Sequence, residues 1–202
     1  MAKNAKADSS ERIVVVSGLP RSGTSLMMQM LEAGGIAPLT DHERVADDDN
    51  PKGYYEFERA KKLREGDTVW LQEAKGKAVK IISALVTSLP EDYSYDVILM
   101  RRDMSEVLAS QRKMLLRRGE CADKLSDDMM GLAFEKHLNE VFEWMNQQNT
   151  LRYIEVNFNK LITDPLHAIE RLGEFLARAL NREDMKFLIA PELYRQRKDK
   201  AI

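Results

Sequence analysis

Two hydrophobic rhythms alternate along the chain. "RIVVVS" (12–17) is a continuous apolar, β-branched run, the pattern of a strand covered on both faces. From Gly23 the spacing turns helical, with Leu26, Met27, Met30 and Leu31 on one side, until the Gly34–Gly35 pair closes the helix. "TDHERVADDDNPKGYYEFE" (40–58) is polar, acidic at its centre and carries Asn-Pro and Lys-Gly turn signals, so it reads as loop. "ERAKKLREGDTVWLQEA" (58–74) allows one or two short helices. "KAVKIIS" (77–83) and "YDVILMR" (95–101) read as two more buried strands, the second running straight into a helical "DMSEVLASQRKMLLRR".

That helix opens with Asp103 as N-cap and Glu106 three residues on, a capping-box pattern. Ser126 caps a long helix with Met130, Phe134, Leu138, Val141 and Met145 inward. "LRYIEVNF" (151–158) reads as a strand, "DPLHAIERLGEFLARAL" as a helix with Pro165 at its first position, and a last helix follows from Asn181. Strands alternating with helices predict an α/β fold of the P-loop type: three layers, with a mainly parallel sheet of about five strands flanked by helices.

The chain has 202 residues, which suits one domain over 12–202 preceded by a disordered leader over 1–11. Such a length buries a sizeable core without metals or disulfides. With 31 Lys plus Arg against 33 Asp plus Glu there is no global nucleic-acid signal, so any anion site must be local. The single cysteine, Cys121, excludes an intrachain disulfide and suggests a reducing compartment. No secretory signal or membrane-length apolar run is visible, and a cytoplasmic location is expected. The three histidines, His42, His137 and His167, are scattered, the last two as helix-surface residues, and no cluster of metal ligands is expected.

The chemistry concentrates after the first strand. "GLPRSGTS" (18–25) nearly spells the phosphate-loop pattern G-x4-G-K-[ST]: Gly18 and Gly23 have the spacing and Ser25 the hydroxyl, while Thr24 holds the lysine position. Backbone N–H groups at such a strand-to-helix turn converge on an anion, and the helix dipole assists them. Arg21 supplies a cation inside the loop. The loop alone leaves open a nucleotide-phosphate site or a related anion site.

"PRSGTSLM" after a strand resembles the 5′-phosphosulfate loop of sulfotransferases, closest in form to the tyrosylprotein and small bacterial members. These enzymes use 3′-phosphoadenosine 5′-phosphosulfate (PAPS), leaving PAP. Their second signature is an arginine at a later strand end with a serine eight residues on, both on the 3′-phosphate. "RRDMSEVLAS" supplies it with Arg102 and Ser110. "VNFNKLITDP" is similar to the family's strand-to-helix pattern, with Val156, Leu161, Asp164 and Pro165 in place and Phe158 where a tyrosine is usual. The resemblance therefore implies PAPS binding through Pro20, Arg21, Ser22, Gly23, Thr24, Ser25, Arg102, Ser110 and Phe158, with the donor along the carboxyl ends of the strands.

Other positions depart from the family. Leu26 replaces the tryptophan that stacks on adenine in cytosolic members, and Ile82 stands where a "K-x-H" histidine would be, leaving Lys80 to face the sulfonate. In-line transfer to an acceptor hydroxyl or amine needs a general base, plus donors for the growing charge. Arg21 and the loop backbone are expected as donors. Asp41, Glu56 and His42, in that order, are the base candidates; ungapped alignment with the tyrosylprotein enzymes puts His42 on the base and Arg44 on a following arginine. No metal is required. Arg195 and Arg197 are read as a solvated tail. The competing expectations are a P-loop nucleotide kinase or hydrolase, disfavoured by the absent lysine and the basic strand end, and a non-catalytic nucleotide-binding module. The acceptor and the oligomeric state have no sequence signature.

Overall fold

The computed structural model describes residues 10–41, 43, 53–117, 119 and 126–189; most of the expected leader, His42, Arg44, Cys121, Arg195 and Arg197 lie outside them. The first strand, β1 (Ile13–Gly18), leads through the loop into α1 (Thr24–Ala33). A two-residue strand, β2 (Pro38–Leu39), precedes α2 (Glu58–Lys61) and two 3-10 turns at Leu63–Glu65 and Val69–Gln72. Then come β3 (Ala78–Lys80), α3 (Ser83–Val86), β4 (Tyr95–Arg101), α4 (Met104–Arg117) and α5 (Asp127–Gln147). The order closes with β5 (Leu151–Asn157), α6 (Phe158–Thr163), α7 (Pro165–Leu176) and α8 (Arg182–Phe187).

The strands form one five-stranded sheet in the order β2-β3-β1-β4-β5, and every pairing is parallel. Side chains leave the strands with a period of two and feed two cores. Ile13, Val15, Val79, Val97 and Leu99 pack with Trp70, Leu85, Val86, Val141 and Met145 on one face. Val14, Val16, Ile98 and Met100 pack with Met27, Met30, Leu31, Leu161, Leu172 and Met185 on the other. Helices on both faces explain why the strands read as unbroken apolar runs.

Several elements differ from the sequence reading. The first strand starts at Ile13, one residue later than expected, and Arg12 before it turns its guanidinium to the buried Asp96 at 2.5 Å. "KAVKIIS" yields only three strand residues, as Ile82 and Ser83 turn away to begin α3. Ser126 does cap α5 by accepting the Met129 N–H, and Pro165 opens α7 with Asp164 as its N-cap. Among the described residues, no helix is long and apolar enough to cross a membrane.

Parallel pairing puts all five strand ends on one edge of the sheet. The ends of β1, β3 and β4 are neighbours there, so Gly18, Lys80 and Arg102 converge from positions far apart in sequence.

Candidate active site

The loop is a tight strand-to-helix turn whose packing depends on its glycines. Gly18 has φ 149°, and a Cβ on it would lie 2.7 Å from the Met100 carbonyl, so only glycine lets β4 pack on the loop root. Ser22 closes the turn on Leu19: its Oγ donates to the Leu19 carbonyl at 2.7 Å and its N–H donates to the same oxygen at 3.2 Å. Gly23, at φ 100°, is the N-cap of α1; a Cβ there would drive into the Phe158 ring. Arg21 itself adopts φ 70°, a left-handed conformation rare for a non-glycine residue and concentrated at functional sites.

No side chain caps α1, and no acid occupies its first turn. The N–H groups of Thr24, Ser25 and Leu26 precede the first intrahelical bond, Met27 N–H to the Gly23 carbonyl at 3.1 Å. They leave the helix end with the positive pole of its dipole behind them.

Two cationic poles flank this turn. At one, Lys80 extends from the end of β3; its Nζ donates to Ser25 Oγ at 3.1 Å and to the Tyr54 carbonyl at 2.8 Å. Ser25 Oγ donates to that same carbonyl at 3.3 Å. At the other, Arg21 Nε donates to Ser110 Oγ at 2.9 Å, and Arg102 Nη1 donates to the Arg21 carbonyl at 3.2 Å. The Arg102 guanidinium lies 4.6 Å from the centre of the Phe158 ring, a cation–π contact.

A strap of residues 53–58 crosses the Lys80 pole. Thr40 Oγ1 donates to the Glu56 carbonyl at 2.8 Å, and Asp41 accepts the Glu58 N–H at 2.6 Å and the Glu43 N–H at 3.1 Å. Tyr55, at φ 53°, donates its hydroxyl to Glu32; burial, then that bond, pushes its pKa up beyond the ordinary phenol range. The Glu56 carboxylate pairs with Lys61 at 3.0 Å. Burial works against the Lys61 charge, yet bonds to Glu58 and Glu56 raise its pKa on balance.

The fold therefore brings Arg21, Ser22, Gly23, Thr24, Ser25, Lys80, Arg102, Ser110 and Phe158 to one edge of the sheet. Pro20 stands exposed at the loop tip; Glu56 lies on the strap, and Asp41, outside it, holds the strap through the Glu58 N–H. Three residues of this arrangement escaped the sequence reading. Tyr54 contributes a backbone carbonyl, which leaves no side-chain pattern. Glu106, read as half of a capping box, instead pairs with Arg102 Nε at 2.9 Å. Asn159 accepts the Asp103 N–H at 3.2 Å in the place expected for Glu106. His137, expected on the surface, shares a 2.9 Å hydrogen bond with the buried Ser83. No group of metal-ligating side chains occurs among the described residues.

The sulfotransferase domain family matches residues 11–199. The sulfotransferase domain of the Synechococcus PCC 7002 olefin synthase superimposes with a TM-score of 0.61 at 14% identity, covering 98% of this chain and 90% of that one. Sulfotransferase STF1 of Mycobacterium tuberculosis H37Rv gives 0.57 at 14% identity, covering 89% and 70%. STF9 of Mycobacterium avium gives 0.54 at 13% identity, covering 96% and 70%. These similarities concern the fold. Among curated proteins none matches the chain in sequence. By the span of the family match, the chain belongs to the sulfotransferase domain family, enzymes that use PAPS.

Proposed function

We propose that the protein transfers a sulfonate group from PAPS to an acceptor hydroxyl or amine. The observation that supports this reading is the pair of cationic groups flanking one loop: Lys80 on Ser25 at one side, and Arg21, bonded to Ser110 and to Arg102, at the other. A hydrolase of nucleoside triphosphates needs a lysine where Thr24 stands and an acid near the strand end that here bears Arg101 and Arg102.

The residues present fit the donor. The uncapped α1 end and the cradle of Gly18 and Gly23 suit its 5′-phosphate, while Arg102, Ser110 and Arg21 suit the 3′-phosphate. Bound PAPS supplies an activated sulfonate whose bond to the phosphate oxygen breaks as the acceptor attacks. Lys80 stabilises negative charge gathering on the sulfonate, and Ser25 with the loop N–H groups stabilises that on the leaving phosphate oxygen. Asp41, which holds the strap at Glu58, takes the acceptor's proton, with Glu56 as its nearest rival. Phe158 keeps the loop and Arg102 at fixed separation.

Calorimetry with PAP and with ATP, each with and without magnesium, tests the donor site. A sulfate-release and sulfonate-transfer assay with labelled PAPS and panels of hydroxyl and amine acceptors tests the chemistry. Magnesium-independent PAP binding with transfer supports the proposal. Magnesium-dependent ATP hydrolysis, or tight PAP binding with no transfer to any acceptor class, contradicts it.

A further inference from the structure

Arg102 is gripped on several sides within one buried cluster. Its side chain is 9% exposed and that of Glu106 only 2%. Glu106 and Ser110 stand four apart on one face of α4, and Arg102 lies two residues before that helix, its guanidinium turned back to Glu106. The Glu106 carboxylate accepts from Arg102 Nε at 2.9 Å and, on the same oxygen, from Asn159 Nδ2 at 3.1 Å. Asn159 is itself oriented, because its Oδ1 accepts the Asp103 N–H at 3.2 Å. Phe158, its neighbour, lies against the face of the guanidinium.

A carboxylate this close to the Ser110 end of the site is a liability for phosphate binding unless it does something else. Its charge is engaged by Arg102, and the second donor to it, an amide, adds no charge. With Nε held by Glu106, Nη1 by the Arg21 carbonyl and the plane set by Phe158, the guanidinium loses the freedom to rotate. A planar fork preorganised in this way binds a phosphate with less ordering cost than a free arginine.

We propose that Glu106 and Asn159 are positioning residues that set the protein's preference for a nucleotide carrying a 3′-phosphate over one lacking it. They act through Arg102 and need not touch the donor. The inference rests on the reading above, in which Arg102 and Ser110 hold the 3′-phosphate.

The test compares PAP with 5′-AMP, which differ by that phosphate alone. In the wild type PAP binds much more tightly. Glu106→Gln lowers PAP affinity by about tenfold or more, the size expected for a lost charge-assisted hydrogen bond, while 5′-AMP affinity changes less than about twofold. KM for PAPS rises and kcat at saturation holds. Asn159→Ala moves the same ratio in the same direction by a smaller factor, and carries the test should the Glu106 variant fail to fold. An equal loss of PAP and 5′-AMP affinity means a structural role only and overturns the inference. So does PAP binding unchanged or tightened in both variants. A wild type that fails to distinguish PAP from 5′-AMP overturns the 3′-phosphate assignment first, and the inference with it.

Discussion

Arg21 donates from Nε to Ser110 Oγ at 2.9 Å, joining the loop after β1 to α4 across 89 residues of sequence. The loop arginine thus reaches the pole expected for the 3′-phosphate, and Lys80 stands at the Ser25 side. Arg102 donates to the Arg21 carbonyl, so the loop is tied at one residue both to α4 and to the end of β4.

Groups in contact around one ligand do not contribute independently. Arg21→Ala and Ser110→Ala are each expected to weaken PAP binding, and the double variant to lose less than the sum. A coupling of about 0.5–3 kcal/mol in a calorimetric double-mutant cycle is the expected outcome. Strict additivity would separate Arg21 from the 3′-phosphate pole.

Lys80 should matter to turnover and little to PAP. PAP lacks the sulfonate, so a cation serving the transferring group is silent in product binding. Lys80→Ala is expected to lower kcat by roughly 10²–10³-fold, as for loss of a preorganised charge-stabilising donor, with PAP affinity within about threefold of wild type. Single-turnover kinetics beside PAP calorimetry checks both halves.

The tight contact of Gly23 with Phe158 has a built-in control. Gly35 shares a positive φ of 97°, but a Cβ there meets nothing within 4 Å. Gly35→Ala in urea unfolding reads backbone strain alone, about 1 kcal/mol or slightly more. Gly23→Ala adds the collision with the ring and should cost about 1–3 kcal/mol beyond it. Only the Gly23 variant should also lose PAP binding.

Asp41 carries two duties here. Its carboxylate fastens the strap by accepting N–H groups of Glu58 and Glu43, and it is the first base candidate. Asp41→Asn keeps an oxygen for the strap while removing the basic charge. It should abolish turnover and leave PAP affinity nearly intact. Near-normal single-turnover sulfation would confine Asp41 to the strap and move the role to Glu56, whose Glu56→Gln variant is the companion measurement.

The sequence carried the fold well where burial is two-sided. "YDVILMR" matches β4 residue for residue, because a strand covered on both faces leaves an uninterrupted apolar run. β2 went unread: two residues, one of them proline, are too few for any periodicity. Arg12 was assigned to the first strand because its partner, Asp96, lies 84 residues away and is invisible to local pattern. At the site, side chains in named motifs were legible. The Tyr54 carbonyl was not, since a backbone acceptor has no residue type. At Glu106 the spacing of a capping box and that of an i,i+4 ion pair to Arg102 coexist, and the ion pair, with Asn159 beside it, has no local sequence signal of its own.

The most direct test is a crystal structure with PAP bound. The expected result puts the 5′-phosphate on the N–H groups at Ser22–Ser25 and the 3′-phosphate within hydrogen-bond distance of both Arg102 and Ser110 Oγ. A 3′-phosphate lying away from Arg102 and Ser110, with the loop still holding the 5′-phosphate, would contradict the two-pole account of this site.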